Sequence, residues 1–376
     1  MKYIDGMAAW ESLASNHHTR WHENIERFKS APIYVYHKPK FLIDHDCFFF
    51  CIGPCFARNI EEHLIYRERK VLSKRIFAPK KEAPARPNGF VNKFTTMSIV
   101  NELKWLLSRP AIDDSLFEQG PNGWCDLQLG PGIPPVSLER AIERRTYLID
   151  EYFSRIRLAS IIIITLGLNE VWRDNKSNLY LNSAPSFTSV RREIDRYRLE
   201  ITDVAQNFDE LQEMRAIIKT INPDARIIVT VSPVPMGETF SGQDVAIANT
   251  RSKCTLRVAA EQFASLHSDV DYFPSFDMVS LAPRELAYGV DCLHVSNAVV
   301  GSIMRTFLSN YMDVDTEPPT FTELGYLAAN PDVEEAVRRG DLESGFEHWL
   351  HIGKAEGRSL APADGPTELM VAAGAV

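Results

Sequence analysis

Three short stretches of this 376-residue chain carry residue types that together could move an acyl group. They are "GPC" at residues 53 to 55, "GLN" at 167 to 169 and "DCLH" at 291 to 294. A thiol can attack an ester carbonyl, a histidine beside an acid can take its proton, and an amide can stabilise the oxyanion that forms. The three stretches therefore predict nucleophilic acyl transfer, provided that the fold brings them together.

The candidate nucleophile is Cys55, and the residues around it indicate how it would be presented. The apolar run "FFFCIG" predicts a buried strand that ends at Gly53, and helical periodicity begins at Phe56. Gly53 can adopt the backbone angles of a tight turn, and Pro54 suits the entry to a helix. The positive end of that helix would favour a thiolate at Cys55. The ordinary alternative is a cysteine that only fills space, because cysteine is among the most buried residue types.

The other two stretches supply a base and an oxyanion donor. His294 is the candidate base because Asp291, three residues earlier, could fix the tautomer of its ring. Gly167 would allow a close backbone approach, and Asn169 could present its amide at the edge where parallel sheets bind ligands. Each feature alone has an ordinary alternative, since an Asp and a His can be surface neighbours and Asn is common in turns. The combination and its order are what favour catalysis.

Alternating strands and helices would have to position these residues. Continuous apolar runs, typical of strands buried on both faces, occur at 48–53, 159–168 and 225–235. Helical patterns occur at 208–221, 245–267 and 296–312. This alternation predicts an α/β fold, a three-layer α/β/α sandwich with a mostly parallel sheet.

The pattern changes after "DVDTEPPT", whose prolines and acids are typical of a linker. Beyond it, Asn330 and Pro331 predict the start of one short helix, and Ser344 and Glu347 have capping-box spacing for a second. The predicted divisions are an α/β domain (1–316), a small helical hairpin (317–363) and a flexible tail (364–376). So small a hairpin cannot bury an apolar face alone, and we expect it to dock on the main domain or on a protein partner.

Composition narrows the classes of partner. A net charge of −9 argues against binding to a phosphate backbone. No apolar run approaches the roughly 20 residues that span a bilayer, and the first residues lack the features of a secretory signal. The six cysteines include no C-x-x-C pair, and no His and carboxylate cluster has ligand spacing, so no metal or cofactor is expected. We expect a cytoplasmic protein that acts on a small molecule or glycan.

The order Gly-x-nucleophile, Gly-x-Asn and Asp-x-x-His resembles that of the SGNH (GDSL-like) hydrolase superfamily. More closely, "IGPCFARNIEEHL", "TLGLNEVWRD" and "YGVDCLHVS" resemble successive blocks of the bacterial GSCFA domain, named for its Gly-Ser-Cys-Phe-Ala motif. The resemblance covers roughly residues 30 to 312. It implies an esterase or O-acyltransferase with a triad of Cys55, His294 and Asp291. The C-terminal stretch resembles a helical unit found beside glycan-handling domains. From this resemblance we expect the substrates to be acylated sugars or polysaccharide precursors.

One residue departs from the family motif, because Pro54 stands where the family has serine. If that serine were the nucleophile, this chain would be inactive. Alignment with the superfamily's Gly-Asp-Ser instead puts Cys55 in the nucleophile's place and Pro54 in the variable middle position. The alternative hypothesis is a non-catalytic glycan-binding or scaffold protein that keeps the hydrolase fold. Candidate oxyanion or substrate-binding residues are Asn169, Gly167, Gly53, Gly89 and Asn92.

Overall fold

The computed structural model describes residues 3–76, 78–83, 88–312, 321–339, 341–342 and 344–362. Its strands are Phe48–Ile52 (β1), Lys70–Val71 (β2), Glu118–Gly120 (β3), Gly123–Cys125 (β4), Ile161–Leu166 (β5), Glu170–Asp174 (β6), Leu179–Leu181 (β7), Tyr197–Ile201 (β8), Arg226–Val231 (β9) and Val270–Tyr272 (β10). Its helices are Gly6–Ser15 (α1), Cys55–Ile65 (α2), Thr96–Ser108 (α3), Leu138–Tyr147 (α4), Phe187–Arg192 (α5), Val204–Ile221 (α6), Val245–Leu266 (α7), Ser275–Ser280 (α8), Arg284–Ala287 (α9), Asn297–Tyr311 (α10), Glu323–Ala329 (α11), Pro331–Arg339 (α12) and Gly345–His348 (α13).

Five strands form one parallel sheet in the order β10–β9–β5–β1–β2. The central strand β5 is buried along its whole length, as expected of a strand that is covered on both faces. One face of the sheet packs against α3, α6 and α7, and the other packs against α2, α8 and α10. The predicted three-layer α/β/α sandwich with a mostly parallel sheet is confirmed.

The sheet brings two of the three chemical stretches to the same edge. Strands β1 and β5 are parallel neighbours, with Ile52 opposite Ile164, so their carboxyl ends lie side by side. Cys55 follows β1, and the segment 167–169 follows β5. Asn169 then leads into a separate antiparallel sheet in the order β7–β6–β8. The carboxyl edge of a parallel sheet is where ligands bind in open α/β folds.

Local sequence signals account for the main elements. The three predicted strands correspond to β1, β5 and β9, and the three predicted helices correspond to α6, α7 and α10. Helix α6 begins earlier than predicted because the N-cap residue Asp203 and Gln206 in the first turn form a capping box. Among the described residues, no helix combines the length and apolar character needed to cross a membrane.

The C-terminal helices pack on the main domain. Phe321 and Phe346 form an apolar cluster with Tyr66, which follows α2. The backbone N–H of Glu323 donates to the Tyr66 hydroxyl at 2.8 Å, and the ammonium of Lys74 lies 3.5 Å from the Glu323 carboxylate. This contact with the main domain is one of the two expected; a contact with a protein partner stays a prediction.

The sequence predicted the helices of this region only in part. Helix α12 begins at Pro331 as expected, and the Ser344 hydroxyl accepts the N–H of Glu347 at 3.0 Å ahead of α13. A third helix, α11, precedes these two and was not predicted. The predicted domain boundary at 316–317 and the predicted tail, 364–376, lie outside the described residues.

Candidate active site

A sharp turn between β1 and α2 presents Cys55. Gly53 has a φ of 153°, and a Cβ there would lie 2.6 Å from both the Cβ and the carbonyl oxygen of Thr165 on β5. Only glycine fits this turn. Pro54 is the N-cap residue of α2, and Cys55 is the first helical residue and partly exposed. The predicted strand, turn and helix that raise Cys55 from the sheet are therefore present.

Pro54 leaves the first turn of α2 without a side-chain cap. Ser, Thr, Asp or Asn at this position would accept a hydrogen bond from a backbone N–H of that turn, but proline has no side-chain acceptor. The N–H groups at a helix start lack partners within the helix and give that end a partial positive charge. In α2 the N–H of Ala57 donates to the carbonyl of Pro54 at 2.8 Å, and the partial positive charge of this helix start lies beside Cys55.

Asp291 and His294 form a tight pair in the loop before α10. The His294 Nδ1 lies 2.6 Å from Asp291 Oδ2, and Asp291 Oδ1 accepts the backbone N–H groups of Leu293 and His294 at 3.0 Å. Slight burial opposes ionisation of Asp291, but the hydrogen bonds from His294 and Leu293 outweigh it and lower its pKa to about 2. Asp291 thus holds one ring nitrogen of His294 and leaves Nε2 for another partner.

Gly167 and Asn169 lie where close backbone packing requires them. A Cβ on Gly167 would lie 2.7 Å from the carbonyl oxygen of Phe94. Asn169 is 1% exposed, and its side-chain Nδ2 donates to the carbonyl of Thr202 at 2.9 Å. Its backbone N–H donates to the hydroxyl of Ser252 at 2.9 Å. The side-chain amide of Asn169 therefore braces the fold, and its Oδ1 is buried without a hydrogen-bond partner among the described residues.

The segment with Gly89 and Asn92 lies against the turn that presents Cys55. Gly89 begins a helical turn, and its carbonyl accepts the N–H of Asn92 at 3.1 Å. The next residue, Lys93, donates its backbone N–H to the carbonyl of Gly53 at 2.9 Å. The side-chain Oδ1 of Asn92 is buried and has no hydrogen-bond partner within the described residues. Asn92 therefore directly precedes the residue that bonds to Gly53, whereas Gly89 lies four positions before it.

Lys253 of α7 belongs to this region and was missed by the sequence analysis. It is 2% exposed, and its ammonium donates to the carbonyl of Gly167 at 2.9 Å. Burial lowers its pKa to about 7, and the charge of the Cys55 sulfur acts in the opposite direction. The sequence did contain a clue to its burial, because Lys253 lies on the same buried face of α7 as Leu256 and Ala260.

Of two cavities among the described residues, the larger borders the segment that follows β5, and neither is lined by Cys55, Asp291 or His294. The larger, about 480 Å³, is lined by Leu168, Trp172 and Phe240 among others. The smaller, about 270 Å³, is lined by Lys253 and Tyr288 among others. Within the described part of the chain, no group of three or more His, Cys, Asp or Glu side chains has a metal-binding arrangement.

The model of the GSCFA family matches residues 48–307, more than two thirds of the sequence. This chain belongs to the GSCFA family. The match contains both the Cys55 turn and the Asp291–His294 pair of this GSCFA protein. Among curated proteins, none matches the chain.

Solved structures that resemble this GSCFA protein include three esterases. A carbohydrate esterase family 3 protein from Talaromyces cellulolyticus is 10% identical, with a TM-score of 0.32 over 72% of this chain and 100% of that one. A carbohydrate esterase family 2 enzyme with a carbohydrate-binding domain from Corynascus thermopiles (Myceliophthora fergusii) is 12% identical, with a TM-score of 0.31 over 74% and 67%. The acetyl xylan esterase Est2A from Butyrivibrio proteoclasticus is 10% identical, with a TM-score of 0.25 over 62% and 56%. At these scores the similarity carries no argument about the reaction.

Proposed function

We propose that this GSCFA protein cleaves or transfers acyl esters of sugars through Cys55, His294 and Asp291. The observation that carries the proposal is the position of Cys55, partly exposed at the start of α2 and at the carboxyl edge of the sheet. A thiol at a helix start is favoured as a thiolate by the partial positive charge there. The Asp291–His294 pair, with Nε2 of His294 available, supplies the acid and base that acyl transfer needs.

In this mechanism the Cys55 sulfur attacks the ester carbonyl and forms an acyl-thioester. His294 moves the protons of the oxygen that leaves and of the oxygen that enters, and Asp291 holds its ring in one tautomer. The N–H of Cys55 and the second amide hydrogen of Asn169 would stabilise the oxyanion, with Gly89 or Asn92 as a further donor. Water as the acceptor gives an esterase, and a sugar hydroxyl gives an O-acyltransferase.

The larger cavity supports a glycan ester as substrate. Its walls combine the aromatic rings of Trp172 and Phe240, whose centroids are 5.4 Å apart, with the polar side chains of Glu170 and Asn182. Apolar walls with a few fixed polar groups are typical of small-molecule sites of this volume. The Trp172 Nε1 hydrogen is buried and has no partner within the described residues, so it can donate to a bound hydroxyl.

The test is ester turnover by the wild type, Cys55→Ala and Cys254→Ala, with p-nitrophenyl acetate and with acetylated oligosaccharides. Cys254 is exposed on α7 and serves as a matched thiol control. We expect a burst and turnover in the wild type and in Cys254→Ala, and neither in Cys55→Ala. Equal activity in all three proteins, or activity in none, would contradict the proposal.

A non-catalytic glycan-binding role is the second candidate. It is favoured by Pro54 in place of the family serine and by the use of one Asn169 hydrogen in a bond to Thr202. Calorimetric titration with acetylated oligosaccharides separates the two functions. Binding in the wild type and in Cys55→Ala, with no release of acetate in either, would favour the binding role.

A further inference from the structure

The segment 237–243, between β9 and α7, forms part of the wall of the larger cavity. Gly237, Glu238 and Phe240 line the cavity, and none of the seven residues of the segment is buried. A segment without buried apolar contacts depends on hydrogen bonds for a fixed conformation, because packing adds little to its local stability. The hydrogen bonds of this segment therefore decide the shape of the cavity wall.

Both hydrogen bonds that tie this segment to the rest of the described chain end on Glu170. The Thr239 hydroxyl donates to one oxygen of the Glu170 carboxylate, and the backbone N–H of Phe240 donates to the other at 3.0 Å. The remaining bonds, among Thr239, Ser241 and Gln243, stay inside the segment. Hydrogen bonds to a carboxylate are stronger than those between neutral groups. Glu170 is thus the main attachment point of the segment.

Glu170 is itself held firmly in the fold. It is the first residue of β6 and pairs with Ile201 of β8, and its side chain is 5% exposed. The guanidinium of Arg251 lies 3.8 Å from its carboxylate and offsets part of the charge. A buried carboxylate is unfavourable unless its oxygens accept hydrogen bonds, and here the segment supplies a donor to each oxygen. These bonds therefore stabilise the carboxylate and the segment together.

The attachment to Glu170 places the Phe240 ring against the Trp172 ring. The side chain of Phe240 is 51% exposed, and the two ring planes meet at 80°. Trp172 lies two positions after Glu170 on β6, so the two side chains share one face of the strand. A half-exposed ring on a loop that a rigid scaffold positions is typical of a ligand-binding wall. Strand β6 thus carries one ring of the wall and fixes the other through Glu170.

We propose that Glu170 is a positioning residue for sugar specificity, which holds segment 237–243 so that Phe240 and Trp172 together form the sugar-binding wall of the larger cavity. The inference rests on the proposed function, because it takes this cavity as the site of the sugar. Glu170 does not touch the reacting atoms. Loss of its bonds should release the segment and weaken sugar binding, while a small ester without a sugar reacts as before.

The first experiment measures backbone hydrogen exchange by mass spectrometry on the full chain, with no ester present. The proteins are the wild type, Glu170→Ala, Thr239→Val and Thr239→Ser, and Thr220→Val controls for loss of an exposed hydroxyl. We expect peptides from 237–243 to exchange about tenfold faster in Glu170→Ala and Thr239→Val, because each variant loses a hydrogen bond to a charged group. Peptides from β5 should be unchanged.

The conservative variant separates the bond from the bulk of the side chain. Thr239→Ser keeps the hydroxyl, so its exchange should match that of the wild type, as should that of Thr220→Val. Wild-type exchange of segment 237–243 in Thr239→Val would overturn the proposal. This variant decides the question even where Glu170→Ala fails to fold.

The second experiment compares two substrates in the same proteins. Thr239→Val should raise KM for acetylated cello-oligosaccharides about tenfold and leave kcat for p-nitrophenyl acetate within about twofold of the wild type, and Thr239→Ser should restore the KM. Equal effects on both substrates, or turnover of p-nitrophenyl acetate alone, would overturn the role in specificity. Absence of turnover with either ester, combined with the expected exchange pattern, would contradict the proposed function and leave the positioning by Glu170 supported.

Discussion

Replacement of Lys253 by Met should change how the stability of the protein depends on pH. The pKa of Lys253 is about 7 in the folded protein, against an ordinary value of 10.5 in an unfolded chain. Between these values the unfolded state binds more protons than the folded state, so this lysine makes the free energy of unfolding rise with pH. Below about pH 7 both states are protonated, and the unfavourable burial of the ammonium is fully present.

The magnitude follows from the size of the shift. Each pH unit within the window changes the free energy of unfolding by about 1.4 kcal/mol, so between pH 7 and pH 9 the effect of one lysine is about 3 kcal/mol. We expect Lys253→Met to be more stable than the wild type near pH 6, and its advantage to shrink by about that amount by pH 9. An apolar side chain carries no charge to bury, so Met lacks this dependence.

The assay is urea unfolding at pH 6, 7, 8 and 9, with Lys38→Met as the control because Lys38 is exposed. The quantity to compare is the difference in unfolding free energy between each variant and the wild type. For Lys38→Met this difference should stay constant within about 0.5 kcal/mol, as is usual for surface substitutions. A difference for Lys253→Met that is equally constant would refute the reasoning, since Lys253 would then titrate alike in both states.

Three further predictions follow from the geometry. Gly53→Ala should lower the free energy of unfolding by about 2 to 4 kcal/mol in urea titrations, because the added methyl group would collide with Thr165 and the residue would have a strained φ. A loss below about 1 kcal/mol would contradict the turn described. Asp291→Asn should reduce ester kcat by about a hundredfold or more, because His294 would lose its carboxylate partner; an unchanged kcat would remove this pair from the mechanism. Trp172→Ala should raise KM for acetylated oligosaccharides by about tenfold and leave kcat for p-nitrophenyl acetate nearly unchanged. An equal effect on both substrates would exclude a role of Trp172 in sugar binding.

The main sheet could be predicted because its strands are fully buried. A run such as "IIIIT" in β5 has few alternatives to a strand covered on both faces. The small sheet of β6, β7 and β8 could not be predicted, because its strands are short and partly exposed and carry charged residues such as Arg173 and Arg198. Helix α11 was missed for a similar reason, since its position depends on packing around Tyr66 rather than on a local signal.

The candidate site was predictable where chemistry depends on local spacing. The turn before Cys55 and the bond between Asp291 and His294 each involve residues within a few positions of one another. Long-range contacts were not predictable. The bond from Asn169 to the carbonyl of Thr202 joins residues 33 positions apart, and the bond from Lys253 to the carbonyl of Gly167 joins residues 86 positions apart. A sequence shows which residue types are present, but such contacts require the fold.

The measurement that tests the account most directly is the mass of the intact protein after brief incubation with an acetyl ester and acid quenching. Peptide mapping then locates any adduct among the six cysteines. We expect one acetyl group, released by hydroxylamine as a thioester would be, on Cys55 of the wild type and on no residue of Cys55→Ala. An acetyl group on another side chain, or equal labelling of Cys55→Ala, would contradict the assignment of Cys55 as the nucleophile.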